Sequence, residues 1–382
     1  MIAFYNAEAD RFAEAYGEMP KREREKMVDG FVNTDATQIS WTRALKQELG
    51  KSRHFEFEPA CLTPSLYRPF TKQWLYFNRR FNEMVYQMPR LFPDSAARNL
   101  VICLAGPGCI SGFTALMADL PVELCISAMK GGSQCFPLYV YDDGEDEVED
   151  VPSQAGLFAV EPKGPPARKR RDAITEEGVA HFHAGYPGEK ISREDVFYYV
   201  YGLLHSTDYR ERYADNLTKE LPRIPRVKLA VDFWRFSKAG RDLAELHLSY
   251  ETAPIYAGAK IDCGKAPMTD ADYRVEKMRY GKLGKNRDLT TIHYNSRITV
   301  IGIPVEAYEY VVNGRPAIEW VIERQCIKTD RDSGIVNDAN DWAIETMHNP
   351  KYPLELLLRV VTVSLETMKI VNALPALELT RP

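Results

Sequence analysis

Residues 65–80 read SLYRPFTKQWLYFNRR, which puts five rings and four cations into sixteen positions. Tyr67, Phe70, Trp74, Tyr76 and Phe77 alternate with Arg68, Lys72, Gln73, Arg79 and Arg80. Rings at this density need a core, and Trp74 and Phe77 are the expected core members. Rings packed behind the chain would aim the interleaved donors outward, where cations align on phosphates and Arg, Lys and Gln reach base edges. The competing reading is an ordinary strand pair with solvated cations.

Working outward, residues 1–31 form an Ala- and Glu-rich helical stretch that Pro20 interrupts or restarts. A second short helix is expected in TDATQISWTRALKQELG, with Ser40 as its cap and Trp41, Leu45 and Leu49 as its apolar face. From about residue 55, short apolar segments separated by Pro and Gly take over. NLVICLAGPG, LPVELCISAMKGG and CFPLYVYDD are the strand candidates. The interval from about 142 to 172 runs from acid-rich to Pro-rich to basic with little capacity to bury a core, and an exposed loop is expected there. SREDVFYYVYGLLHSTDYRERYADNLTKELPRIP is helical: Ser192 and Asp195 can cap it, and Pro222 stops it. SKAGRDLAELHLSY adds a third helix to this helical subdomain, and residues 273–300 return to extended segments. PVEAYEYVV, DANDWAIETM and PLELLLRVVTVSLETMKIVNAL are expected as C-terminal helices. The expected fold is α+β.

The 382 residues carry a formal charge of −5, but the acidity is local. DDGEDEVED, residues 142–150, has seven acids and no cation, whereas YRVEKMRYGKLGKNRD, residues 273–288, has six cations against two acids. Within the latter, Arg274, Lys277, Arg279, Lys282 and Lys285 can follow a phosphate path as a loop, while His293, Asn295 and Arg297 just beyond have better base-edge chemistry. ERQCIKTDRDSGIVNDAND supplies a third donor set in Arg324, Gln325, Lys328 and Arg331, for which an ordinary polar loop is the competing reading.

Catalytic readings find little support. CLAGPGCISGF lacks the full dinucleotide fingerprint and any phosphate-binding lysine motif. In NPKYP, Lys351 interrupts the Asn-Pro-Pro-aromatic loop that an adenine methyltransferase needs. The acidic run lacks the strand and lysine of a Mg²⁺ nuclease site. His181, His183 and His205 have no matching ligand set, and the seven cysteines form no paired CxxC. A reduced, cytoplasmic chain is expected, without structural zinc, bound cofactor or membrane span.

SLYRPFTKQWLYFNRRFNEMVYQMPRLFP, GGSQCFPLYVYDD, YYVYGLLHSTDYRERYADNLTKELPRIP and AIEWVIERQCIKTDRDSGIVNDANDWA resemble the C-terminal specificity region of Type ISP restriction-modification enzymes. YRPF and LHSTDYRERY are shared more widely with fused restriction-methyltransferase enzymes, and the stretch from Asn337 to Lys369 is more particular to the ISP-like group. The resemblance implies a mixed-sheet target-recognition module that binds double-stranded DNA. In the family it works beside nuclease, helicase-like ATPase and S-adenosylmethionine-dependent adenine methyltransferase modules of one polypeptide. It also implies four segments: a helical connector or methyltransferase remnant at 1–59, recognition-domain parts at 60–190 and 261–382, and the helical subdomain at 191–260. Two alternatives stay open, a methyltransferase fragment that binds S-adenosylmethionine and a protein-interaction scaffold that does not bind DNA.

Overall fold

The computed structural model describes residues 1–128, 132–142 and 168–379; most of the interval expected as an acidic-to-basic loop lies outside them. The chain divides into two compact units, each assembled from separated stretches. The first comprises Met1–Val85, Tyr250–Tyr310 and Arg315–Leu365, and the second Tyr86–Ser249, Val311–Gly314 and Glu366–Pro382. Both combine helices with small sheets, so the fold is α+β.

The first unit begins with helices Ile2–Tyr16, Lys21–Phe31 and Arg43–Gly50, and Pro20 caps the second as its position suggests. Tyr5, Ala9 and Phe12 recur at helical spacing and close with Val28, Leu45 and Leu49 into one apolar cluster. The cap of the third helix is Thr42, not Ser40: its hydroxyl accepts the Leu45 N–H at 3.2 Å, which is the reach required of a side chain three residues back. Buried Glu48 joins this bundle to the following loop through Lys51 at 2.8 Å, Arg53 at 3.0 Å and Arg80 at 3.0 Å. Burial works against its ionised form, but the Lys51 hydrogen bond and the charges of Arg80, Lys51 and Arg53 outweigh it and hold the carboxyl below its usual range.

Three antiparallel arrays complete this unit. Strands Leu62–Arg68 and Thr71–Tyr76 form a hairpin, and Ile327–Thr329 pairs with Val336–Asp338. A four-stranded sheet runs in the order Lys260–Asp262, Thr299–Ile301, Asn286–His293, Arg279–Leu283. PVEAYEYVV is not an α-helix but a single 3₁₀ turn at Val305–Tyr308, after which the helix Ala317–Arg324 begins behind Pro316. DANDWAIETM is helical only in two short pieces, Ala339–Asp341 and a π turn at Trp342–Thr346. The long helix Tyr352–Asn372 follows.

The second unit contains a three-stranded sheet with the wholly buried strand Val101–Ala105 between Ala115–Ala118 and Ser133–Pro137. LPVELCISAMKGG is irregular over 120–128. There the Glu123 carboxylate takes the Cys125 N–H at 2.7 Å and Ser133 Oγ takes the Ser127 N–H at 2.8 Å, so side chains satisfy groups a strand would pair. The helix Arg193–His205 has the expected capping box, with Ser192 and Asp195 exchanging bonds. The next helical segment breaks at Tyr213 into Thr207–Arg212 and Ala214–Leu217, and the third helix starts earlier than expected, at Ala230, and runs to Leu248.

Helices Arg193–His205 and Ala230–Leu248 approach at Gly202 and Gly240. A Cβ on Gly202 would lie 2.2 Å from the Phe236 carbonyl oxygen, and one on Gly240 1.9 Å from that of Tyr198. No rotamer relieves a clash with backbone. Gly202→Ala or Gly240→Ala is therefore expected to cost about 3 kcal/mol or more, at the upper end of overpacking effects, read as a lowered midpoint in urea unfolding.

The same helices bury a polar cluster. The Tyr201 hydroxyl and His247 Nδ1 share a hydrogen bond at 2.5 Å, and His247 Nε2 and Thr367 Oγ1 share another at 3.0 Å. His205 Nδ1–H donates to the Tyr201 carbonyl at 2.9 Å, while its buried Nε2 has no hydrogen-bond partner among the described residues. Burial, then the Arg210 charge, lowers His247 to about 3, and the same causes together with His247 hold His205 well below its usual range. The unfolded chain binds protons at these imidazoles below about pH 6.5 and the folded chain does not. Stability is thus full above about pH 6.5 and falls as pH drops below it. A thermal midpoint measured from pH 7.5 down to 5 should decrease, and His205→Gln should reduce that slope.

Among the described residues no helix is long and apolar enough to cross a membrane, and no group of three or more His, Cys, Asp and Glu is placed to hold a metal ion.

Candidate nucleic-acid interface

The 62–76 hairpin turns at Pro69–Phe70, where Phe70 has φ +57°, a left-handed conformation costly for an aromatic residue. Its ring compensates by complete burial, edge-on to Tyr250 at 5.3 Å and near Tyr310 at 6.4 Å. Phe70, rather than Trp74, is the buried anchor of this segment. Trp74 is instead 53% exposed. Its indole N–H donates to Thr346 Oγ1 at 3.1 Å, and its ring lies 6.1 Å from Trp342.

Trp74 stands at the edge of a cleft of about 270 Å³ within the first unit. One wall is the 62–76 hairpin, contributing Tyr67, Lys72, Gln73 and Trp74. The other comprises Arg324, Gln325, Lys328, Asn337 and the turn bearing Trp342 and Thr346. Besides the Trp74 contacts, Gln73 Nε2 donates to Asn337 Oδ1 at 3.4 Å and the Arg324 guanidinium lies 5.8 Å from the Tyr67 ring, so several contacts span the walls. Gln73 and Asn337, 264 positions apart in sequence, thus share one concavity, roughly the size of a small ligand group.

Several expected donors are committed to protein partners. Lys72 pairs with Glu251 at 2.6 Å, and the Tyr352 hydroxyl donates to the other oxygen of that carboxylate. Arg68 covers the Tyr67 ring at 4.2 Å and donates to the Tyr67 carbonyl. Glu323 gathers Lys328 at 2.7 Å, Arg324 at 3.4 Å and Arg315. Burial opposes its charge, but these cations prevail and hold its carboxyl below the ordinary range, leaving a local surplus of positive charge. Gln325 is buried, and its Oε1 has no hydrogen-bond partner among the described residues.

The second basic segment is a hairpin where a loop was expected. Strands Arg279–Leu283 and Asn286–His293 meet at Gly284 and Lys285, with Gly284 at φ +63°. Lys277, Arg279, Lys282 and Lys285 are exposed and, with Arg79 and Arg331, carry no ion pair among the described residues. His293 Nδ1 meets Thr299 Oγ1 at 3.1 Å. Asn295 is used up locally: its Nδ2 donates to the carbonyls of Asp272 and Arg274, and its Oδ1 accepts the N–H groups of Arg297 and Ile298. Arg297 donates to the carbonyls of Ala266 and Pro267 and pairs with Asp272. Hydrogen bonds from Thr269 backbone and side chain, then from Arg297, bring the Asp272 carboxyl down to about 2.

Buried Asn340 ties this segment to the cleft wall. Its Oδ1 accepts the Val275 N–H and its Nδ2 donates to the Val275 carbonyl, both at 2.9 Å, while Arg274 pairs with Asp338 at 2.7 Å. Sequence reading missed Asn337, Trp342 and Asn340. NDANDW, which contains all three, was legible as a polar string next to a Trp, though without any sign of its partners.

The family model for the Type ISP C-terminal specificity domain matches residues 1–356. Among solved structures, a nuclease-deletion mutant of the Type ISP restriction-modification enzyme LlaGI in complex with a DNA substrate mimic superposes with a TM-score of 0.79 at 36% identity, over 100% of this chain and 26% of that one. The ATP-dependent Type ISP restriction-modification enzyme LlaBIII bound to DNA gives 0.75 at 34% identity, over 94% and 22%. A DrdV–DNA complex gives 0.77 at 29% identity, over 99% and 33%. No curated protein sequence matches significantly. The α+β architecture is that of a specificity domain. The chain belongs to the Type ISP C-terminal specificity domain family, and it spans between about a fifth and a third of the length of these relatives.

Asn340→Ala would strip both Val275 backbone groups of their partners in a buried place. A loss of about 2 kcal/mol or more is expected, measured by urea denaturation.

Proposed function

We propose that this chain recognises double-stranded DNA in a sequence-specific way on behalf of a larger restriction-modification polypeptide, setting the duplex in place for adenine methylation and cleavage by other modules. The observation that carries this reading is the cleft itself: the donor-rich walls at 65–76 and 324–338 meet in one unit, beside a hairpin whose lysines are exposed and unpaired among the described residues. Membership of a specificity-domain family and similarity to enzymes solved with DNA support it. The labour divides by chemistry. Arg279, Lys282 and Lys285, with Arg79 and Arg331, are suited to phosphates, which demand charge and little geometry. Gln73, Arg324, Gln325 and Lys328 line the cleft and are suited to reading bases. The reacting groups belong to the neighbouring modules.

Gel-shift titration on the preferred and on a random duplex, at several salt concentrations, tests this. The double substitution Lys282→Ala with Lys285→Ala should weaken both complexes alike and reduce the slope of log K against log salt by about 0.9 for each phosphate that is no longer neutralised. Absence of any complex even at low salt would defeat the proposal and favour a protein-binding scaffold.

A further inference from the structure

Cys103 and Cys135 sit directly opposite each other on neighbouring antiparallel strands, Val101–Ala105 and Ser133–Pro137, with their sulfurs 3.7 Å apart. The kind of rung they occupy decides what they can do. The Gly106 N–H donates to the Gly132 carbonyl at 3.1 Å and the Leu138 N–H to the Leu100 carbonyl at 2.8 Å, so the even-numbered positions along the central strand are the hydrogen-bonded rungs. Cys103 falls between them, on a non-hydrogen-bonded rung, where Cα atoms approach to about 4.5 Å and side chains lie closest. That spacing is inside the window of about 4.4–6.8 Å that a disulfide requires. Both residues are free thiols in the structure.

We infer that Cys103 and Cys135 form a dithiol site that a peroxide closes to an intramolecular disulfide and a small thiol reopens. The site is independent of DNA recognition. Its two sulfurs divide the work by position: Cys135 is half-buried on an outer strand of the sheet and meets the oxidant, whereas Cys103 is fully buried on the central strand and shielded from it. The Cys135 hydrogen bond, then burial, holds the Cys103 thiol well above its ordinary range, which keeps it from reacting first. The Cys135 thiolate attacks one oxygen of hydrogen peroxide, the O–O bond breaks, and the departing hydroxide takes up the thiol proton as water, leaving Cys135 as the sulfenic acid. The Cys103 sulfur then attacks the Cys135 sulfur. The S–S bond forms as the S–O bond breaks, and the second hydroxide leaves as water with the Cys103 proton. Two thiols lose two electrons, and one peroxide becomes two waters.

Little has to move for this. The sulfurs must close from 3.7 Å to about 2.0 Å, and with the Cα atoms already spaced for the bond, rotation about the two Cα–Cβ bonds suffices. Alternation along the strand puts Ile102 and Leu104 on the face packed into the apolar core and Cys103 on the other, so the rotation leaves those core side chains in place. The pairing runs without a register shift from Val101 opposite Pro137 to Ala105 opposite Ser133, which holds the two cysteines face to face.

The test is brief exposure of the folded 382-residue chain to hydrogen peroxide, alkylation in urea, and tandem mass spectrometry of the non-reduced tryptic digest. Two of the seven thiols should be protected from alkylation, and a link between Cys103 and Cys135 should join peptides 99–130 and 131–163. Dithiothreitol should restore both thiols. Cys135→Ser, a conservative change at a half-buried position, and Cys103→Ser should each abolish the link. Cys109→Ser and Cys125→Ser, on the same peptide as Cys103, should retain it. A folded chain in which Cys103 and Cys135 both remain open to alkylation after the treatment, in which Cys135 links to Cys109 or Cys125 instead, or in which Cys135 accumulates as the sulfinic acid while Cys103 stays free, overturns the inference.

Discussion

The burial of the Phe70 ring in a left-handed turn is the constraint on which the candidate interface depends. An aromatic residue resists that conformation, and the ring's packing against Tyr250 and Tyr310 holds it there. Because strand side chains alternate, a slip of one residue would turn Gln73 away from Asn337. The pairing of Leu66 with Lys72 and the bulge before Arg68 follow from the same turn. Core packing in this hairpin therefore sets the geometry of the polar cleft.

A net charge of −5 coexists with a donor-rich surface because acids and cations are distributed unequally. Single carboxylates, Glu48 and Glu323, each gather three cations within the first unit. Such clusters immobilise long basic side chains and leave positive charge over. The exposed lysines of the 279–293 hairpin stay uncompensated among the described residues. The field that a phosphate meets is set by these local surpluses rather than by the total.

Local signals carried much of the fold. Pro20, the Ser192–Asp195 box and the apolar spacing of the N-terminal helices were legible because each depends on neighbours within a few residues. The strand Ala115–Ala118 was not, since ALMA favours helix and becomes a strand only beside Val101–Ala105. Trp74 looks like a core residue in sequence because an aromatic count does not say which face of a strand a ring occupies. The irregular 120–128 stretch shows side-chain hydrogen bonds overriding an apolar pattern. The donors at 65–80 and 324–331 were legible as chemistry, but the cleft they share was not, because its walls meet through residues as far apart as the 264 positions between Gln73 and Asn337. Asn295 and Arg297 illustrate the reverse limit: both have base-reading side chains, and both are occupied in holding their own loop.

Hydrogen–deuterium exchange of the full chain with and without duplex DNA tests the central claim most directly. The account predicts that bound duplex slows exchange in residues 65–76, 277–287 and 324–338, with little change in the buried 193–205 helix. A complex that forms while those three segments exchange as in the free chain would contradict it.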